Sequence, residues 1–189
     1  MDIFTHIRIV LGMIIGLGIA RLLLGLTRFI QHPDRYKPSL IHLIWASSTF
    51  LLLVHFWWWE FRLHAILGWT FSLYFFLIIF AILLFSLCTL LFPDDINEYE
   101  GYEDYFLSRR VWFFAILAST FAFDYLDTLI KGRDYAELFG LEYEIRLPVY
   151  LLLCTIAAVT RSRRFHLPFA VASFVYQVSW ILRLFETLD

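Results

Sequence analysis

Three ionisable side chains, Arg21, His55 and Asp124, fall inside long apolar runs of this sequence. A charge in the hydrocarbon core of a bilayer costs about 3 kcal/mol on insertion scales, so such residues face protein or water and often mark ion or proton pathways. Histidine titrates near neutral pH, and an aspartate beside it can hold or relay a proton. The residue types therefore indicate ion or proton transfer within a membrane.

Helical spacing groups several of these residues on two faces. One stripe lies in the first apolar run and the other in the fourth, and each repeats at intervals of three and four residues. The stripes are Gly18, Arg21, Gly25 and Arg28, and Thr120, Asp124, Asp127 and Lys131. An ion pair between Arg21 and Asp124 is predicted, either as a lock for the fold or as part of a pathway.

A polar layer is predicted halfway across the bilayer. His55 and Asp124 lie at nearly the same depth in their helices, and Gln177 and Ser179 reach a similar level in the last helix. The candidate pathway residues are Arg21, His55, Asp124, Asp127 and Gln177. Glu60 follows His55 by five residues, which places it on another face of the helix, at the membrane interface.

Small residues on the first helix indicate close packing. Gly12 and Gly16 form a GxxxG pattern, while Gly18 and Gly25 lie on the stripe that carries the arginines. Small residues let two helix backbones approach closely in a membrane. Because a chain of 189 residues has limited room for a private pathway, a homo-oligomer is expected, with these glycines as candidate contacts.

The elements that position these residues are long apolar helices. Hydrophobic residues make up 61% of the chain and charged residues 17%, and the apolar residues form runs long enough to cross a bilayer. We predict an all-α polytopic membrane bundle, a single domain over 1–189, with about six spans arranged as three hairpins. The predicted spans are 3–30, 40–59, 66–92, 111–130, 147–160 and 165–188. The fifth span is the shortest, and Pro148 is placed in its first turn.

Six crossings put both termini on one side of the membrane, here named side A, with side B opposite. Lys and Arg residues are slightly more numerous near side B, and the positive-inside rule then makes side B cytoplasmic. The prediction is a multi-pass protein of the cell membrane with both termini external.

Three histidines raise the alternative of a haem protein. His42 and His55 are thirteen residues apart on one predicted helix, but that separation leaves them about 140° from a shared face. His166 is level with His42, so those two could be axial partners. Apart from this haem alternative, no metal or cofactor site is predicted.

Net charge, sequence motifs and loop composition bear on which other classes of function are predicted. The net charge of −2 and the lack of a basic domain give no indication of nucleic-acid binding. No enzyme motif such as HExxH, GxSxG or a P-loop is present, so an enzyme is not predicted. The acidic, tyrosine-rich loop at 93–109 is a candidate docking site for a protein partner.

The leading hypothesis from sequence is thus an oligomeric ion or proton channel or carrier in a lipid bilayer. The first alternative is a non-conducting membrane subunit that anchors, assembles or signals to a partner protein. The second is a haem-binding redox protein.

Overall fold

A computed structural model describes residues 3–66 and 68–185. These residues form α-helices joined by short connections, with one 3₁₀ helix and no strand among them, which confirms the all-α class. The elements are α1 (Ile3–Gln31), α2 (Leu40–Trp59), the 3₁₀ helix (Glu60–Ala65), α3 (Phe71–Leu91), α4 (Tyr102–Ile130), α5 (Arg133–Glu137), α6 (Gly140–Val159) and α7 (Arg163–Leu184). The predicted last turn of the sixth span, after 185, lies outside the described residues.

Five helices in the described residues are long and apolar enough to cross a membrane: α1, α2 with the 3₁₀ helix, α3, α4 and α7. The structure therefore contains helices of the length and apolar character that the composition predicts for a membrane protein. The count of six is not confirmed, because α6 carries Glu142, Glu144 and Arg146 in its first half and falls outside this set.

Three helix starts differ by five or more residues from the predicted ones. Helix α3 begins at Phe71, five residues after the predicted start. Helix α4 begins at Tyr102, nine residues before the predicted start, because Tyr102, Tyr105 and Phe106 are buried and extend the helix into the acidic loop. Helix α6 begins at Gly140, so the prediction that Pro148 lies in a first turn is wrong. Pro148 lies inside the helix, where its missing N–H removes one backbone hydrogen bond.

The helices do not pair mainly with their neighbours in sequence. The two most extensive contacts join α4 with α6 and α1 with α3, and they are followed by those of α3 with α4 and α2 with α7. The predicted arrangement of three sequential hairpins is therefore not confirmed. Helix α2 packs against α1, α3, α4 and α7, and this central position gives it the largest buried share of the five candidate spans.

The outer surface of the bundle is apolar. Large hydrophobic side chains on several helices point away from the core, among them Met13, Leu24, Phe71, Leu152 and Val175, each at least 60% exposed. A soluble monomer rarely exposes large contiguous apolar patches. This surface is the one that a lipid environment requires.

Close packing between α1 and α3 supplies one prediction. The Cβ of an alanine at position 25 would lie 2.2 Å from the ring of Phe92, whereas one at position 16 would meet nothing within 4 Å. Gly25→Ala is therefore expected to destabilise the fold by about 1–3 kcal/mol, as overpacking does. Gly16→Ala is the matched control and is expected to be neutral or stabilising by up to about 1 kcal/mol. Unfolding in mixed micelles, followed by tryptophan fluorescence, measures both. Equal stability of the two variants would contradict the close approach of Gly25 to Phe92.

Candidate functional site

A cavity that is partly open to the surroundings lies inside the bundle, between α2, α3, α4, α6 and α7. Its volume is about 50 Å³, enough for a few water molecules at roughly 10–15 Å³ each. Along α2 and into the 3₁₀ helix that follows it, the lining residues run from Trp45 to Glu60. At 1.5 Å per residue, this stretch is about 22 Å long. The cavity walls therefore extend over much of the thickness of a bilayer core of about 30 Å.

Polar side chains join the helices around this cavity. Ser48 donates to Oε1 of Gln177 at 2.7 Å, and Nε2 of Gln177 donates to the carbonyl of Ser48 at 3.2 Å. These reciprocal bonds connect α2 to α7. The hydroxyl groups of Tyr150 and Ser173, 3.0 Å apart, connect α6 to α7 in the same way. Gln177, predicted as a pathway residue, thus has its side-chain oxygen and nitrogen bonded to α2.

A buried ionic triad adjoins the side-A end of the cavity. Nζ of Lys131 lies 2.6 Å from Oδ2 of Asp127 and 3.2 Å from Oε1 of Glu60. The three side chains are at most 3% exposed. Nε1 of Trp59 donates to Asp127 at 2.9 Å, and Lys131 lies 5.1 Å from the centre of the same indole ring. Glu60, predicted at the membrane interface, is buried against Lys131 just after the end of α2, and its level in a membrane stays a prediction.

A second ion pair joins Asp124 to Arg146, and Asp124 lies about one helical turn before Asp127 on α4. Arg146 donates to Oδ2 of Asp124, and the hydroxyl of Tyr143 donates to the same oxygen at 3.1 Å. The guanidinium lies between aromatic rings, 4.7 Å from the centre of Tyr143 and 4.8 Å from that of Trp180. Its side chain is 9% exposed, so α6 brings a cation into the bundle at the level of Asp124.

These five groups, named here the charged cluster, contain one more acid than base. The acids are Glu60, Asp124 and Asp127, and the bases are Lys131 and Arg146. With all five ionised, the cluster carries a net charge of −1. A further cation, Arg62, is partly exposed and lies 4.9 Å from the ring centre of Tyr135. Uncompensated charge is costly in a buried site, so the cluster favours an added proton or a small cation.

Several buried polar atoms at the cavity and the triad have no hydrogen-bond partner within the described residues. Four of them belong to cavity-lining side chains: Nε1 of Trp45, Nε2 of His55, Oε2 of Glu60 and Nε1 of Trp180. Oδ1 of Asp127 is also unbonded. Glu60 and Asp127 thus each bond Lys131 through one oxygen and keep the other free to accept a proton.

His55 connects the cavity to the outer surface. It lines the cavity and also a groove of about 270 Å³ formed by α2 and the end of α7. Its ring lies 5.6 Å from Trp59 and 4.7 Å from Phe185, measured between ring centres. The structure therefore brings together three predicted pathway residues, His55, Asp124 and Gln177, on one cavity wall. Ser179, predicted in the same layer, instead accepts from Arg183 at 3.2 Å.

The side-B end of the cavity is closed by aromatic rings. The indole of Trp45 packs edge-on against Phe113, Phe114 and Phe169, with ring centres 5.3 to 5.5 Å apart. We call these four residues the aromatic plug. Trp45, which also lines the cavity, is 1% exposed, so the plug lies between the cavity and the end of the bundle where α2 begins.

Arg21 lies away from this site, and the predicted Arg21–Asp124 pair is wrong. Nη2 of Arg21 donates to the carbonyl of Phe92 at 2.8 Å and to Asp94 at 2.5 Å. Arg28, on the same stripe, donates to the carbonyl of Pro93 at 3.1 Å. The long arginine side chain reaches the polar edge of the bundle, where both arginines hold the end of α3.

This contact predicts a measurable pH effect. The Arg21 guanidinium holds the pKa of the exposed Asp94 carboxyl below its usual value, near 3.9. The resulting stabilisation is present above that usual value and is lost as the pH falls through the lowered pKa. Arg21→Gln is expected to raise the pKa of Asp94 toward 3.9, as followed by carboxyl ¹³C NMR. Arg35→Gln, on the neighbouring exposed loop, is the control. An unchanged Asp94 titration in Arg21→Gln would contradict the contact.

Two of the three histidines considered for haem, His42 and His166, are bonded to the backbone. Nε2 of His42 lies 2.6 Å from the carbonyl of Leu91, and Nε2 of His166 lies 2.9 Å from that of Thr160. His42 packs among Phe92 and Tyr102, whereas His166 stacks on Phe114. Within residues 3–66 and 68–185, no group of three or more His, Cys, Asp or Glu residues is arranged to hold a metal ion.

The glycines of α1 lie mostly against other parts of the same chain. A Cβ at Gly12 would come within 3.0 Å of Trp57, one at Gly18 within 3.2 Å of Cys88, and one at Gly25 would overlap Phe92. Gly16 alone among the four predicted packing glycines faces open space. The role of α1 in an oligomer stays a prediction.

Sequence reasoning missed Glu60, Tyr143 and Arg146. The signal for Glu60 was that an acid followed three tryptophans at the end of an apolar run. The signal for Arg146 was its position three residues after Tyr143, which puts both on one face of an amphipathic helix. Comparison with known proteins adds no further constraint on the site: the chain matches no protein-family model, no curated protein and no solved structure.

Proposed function

We propose that this chain is a membrane carrier or channel for protons or a small monovalent cation, with the charged cluster as its binding site. The observation that carries the proposal is the excess acid among the buried groups beside a cavity inside the bundle. One bound proton or monovalent cation makes the cluster neutral. The volume of about 50 Å³ suits water and small ions, whereas sites for organic ligands are several times larger.

The geometry also supports a route by which a proton could enter and leave the cavity. His55 lines both the cavity and the groove outside it, and a histidine can pass a proton through its two ring nitrogens. At the other end, the aromatic plug blocks passage to side B. A carrier cycle would then load the cluster through His55 and release its cargo when the plug opens, as transporters do at sites within the bilayer.

We further propose that α6 is the sixth crossing. Its twenty residues span about 30 Å at 1.5 Å per residue, and Arg146 faces the bundle interior rather than lipid. Six crossings would place both termini on side A, and the arginines near side B would face the cytoplasm by the positive-inside rule. The multi-pass cell-membrane location and the homo-oligomer belong to the same proposal.

The test is flux in sealed proteoliposomes that contain a pH-sensitive dye. With a potassium diffusion potential as driving force, acidification of the interior is expected for a proton carrier. Exchanging external sodium for choline while the potassium gradient is held constant leaves the potential unchanged and separates proton movement from sodium movement. Vesicles that show neither proton nor monovalent-cation flux above protein-free vesicles would overturn the proposal.

The second candidate is a non-conducting membrane subunit, favoured by the closed Asp124–Arg146 pair. In that case the ion pairs only fix the helices, and the exposed acids of the loop between α3 and α4, including Asp94, bind a protein partner. Absence of flux together with a stoichiometric partner that is lost in Asp94→Asn would support this candidate.

A further inference from the structure

Four arginines gather at side B, where α4 approaches the connection between α6 and α7. Arg110 is on α4, Arg161 is in the connection, and Arg163 and Arg164 begin α7. We call them the arginine group. Arg161 and Arg164 are exposed, and Arg110 bonds the carbonyl of Val159, two residues before Arg161 in the chain. Like charges held near one another indicate a site for an anion.

Arg110 is held in a fixed position. Nη1 donates to the carbonyl of Leu107 at 2.8 Å, and Nη2 donates to the carbonyl of Val159 at 3.2 Å, the last residue of α6. Its Nε is buried and has no hydrogen-bond partner within the described residues. The bond to Val159 satisfies a carbonyl at the end of a helix and ties α4 to the α6–α7 connection.

The acid found beside this group does not balance it. Glu103 lies 3.6 Å from Nη1 of Arg163 and also accepts from Ser39 at 3.1 Å. One carboxylate against four guanidinium groups leaves a charge of +3. The imbalance draws in anions, and arginine pairs especially well with phosphate because its planar donors match the phosphate oxygens.

The surroundings place this charge at the edge of the hydrocarbon layer. Trp112, two residues into α4 from Arg110, is 64% exposed, and Val159 is 77% exposed. Exposed tryptophans favour the headgroup level of a bilayer. Guanidinium groups next to an outward apolar surface match a ligand with a phosphate head and acyl chains.

We propose that the arginine group binds the phosphate of an anionic phospholipid headgroup, with the exposed Val159 against its acyl chains. Basic pockets between membrane helices bind anionic headgroups in this way. The site is separate from the charged cluster, so it stands whether or not the chain conducts ions.

The experiment uses the full chain in phosphatidylcholine vesicles that contain increasing fractions of brominated phosphatidylglycerol, which quenches nearby tryptophan. The reference is brominated phosphatidylcholine at the same fractions. The wild type is expected to show preferential quenching by the anionic lipid. Arg161→Gln and Arg164→Gln are each expected to lower the relative binding constant about fivefold. Arg35→Gln, an exposed arginine on the same side, is the control.

Three results would overturn the proposal. The first is equal quenching by both lipids. The second is an equal loss in Arg35→Gln, which would indicate diffuse surface charge. The third is displacement of the lipid by inorganic phosphate added at constant ionic strength, which would show that the group binds a free anion. Retained preference in the presence of inorganic phosphate supports a lipid site.

Discussion

Proteoliposomes that carry Glu60→Gln are expected to show proton or cation flux no higher than protein-free vesicles, while the protein remains folded. The substitution removes the excess acid, so Asp124 and Asp127 are balanced by Arg146 and Lys131. A balanced cluster has no electrostatic reason to take up another proton or cation. The amide oxygen of glutamine can still accept from Lys131, and Lys131 keeps Asp127 as its ion-pair partner, so no buried charge is left without an opposite charge.

Dye-reported flux measures the expected loss of transport, and the unfolding midpoint measures whether the protein remains folded. Glu142→Gln is the matched control, because Glu142 bonds Arg183 at 2.6 Å but both side chains are more than 40% exposed. The control is expected to retain flux. Undiminished flux in Glu60→Gln would remove the charged cluster from the transport mechanism, even if the wild type conducts.

Lys131→Met is expected to destabilise the protein by about 3–5 kcal/mol at neutral pH. The methionine leaves two buried carboxylates, Glu60 and Asp127, without the cation that bonds both, and an uncompensated buried charge is strongly destabilising. Acidification is expected to reduce the loss, because protonated carboxyl groups do not need a cation. Mixed-micelle unfolding at neutral and acidic pH, followed by tryptophan fluorescence, measures the effect.

A rescue variant separates lost charge balance from lost packing. Adding Glu60→Gln and Asp127→Asn to Lys131→Met removes the unpaired carboxylates and is expected to restore most of the stability. Lys37→Met, at an exposed lysine on side B, is the control and is expected to change stability by less than about 0.5 kcal/mol. A Lys131→Met protein as stable as the wild type would show that the triad does not form.

The location of the candidate site could be predicted only in part. The spacing of Thr120, Asp124 and Asp127 puts them on one face of α4, and that face does line the bundle interior. Depth counting along single helices also placed His55 and Gln177 near Asp124, because rise per residue is nearly constant. Depth counting gave the wrong partner for Arg21, since a long side chain can place its charge about a turn away from its own backbone.

The partners of these charges could not be predicted, because any acid can pair with any base at a similar depth. Arg146 and Asp124 are 22 residues apart in the chain, on helices whose contact depends on how the whole bundle packs. Glu60 is 71 residues from Lys131, and the two meet only because α2 and α4 end at the same level. The preference of Arg21 for Asp94 follows from the contact of α1 with α3.

The sequence by itself determined the all-helical class, the membrane character and the polar face of α4 with Thr120, Asp124 and Asp127, since these follow from composition and local periodicity. Only the tertiary structure decided which charges pair, how many acids share one lysine, and where the cavity and the aromatic plug lie. The physical reason is the distance along the chain over which each interaction acts. Hydrocarbon burial acts on each helix separately, whereas ion pairing and cavity shape depend on the packing of helices that are distant in the chain.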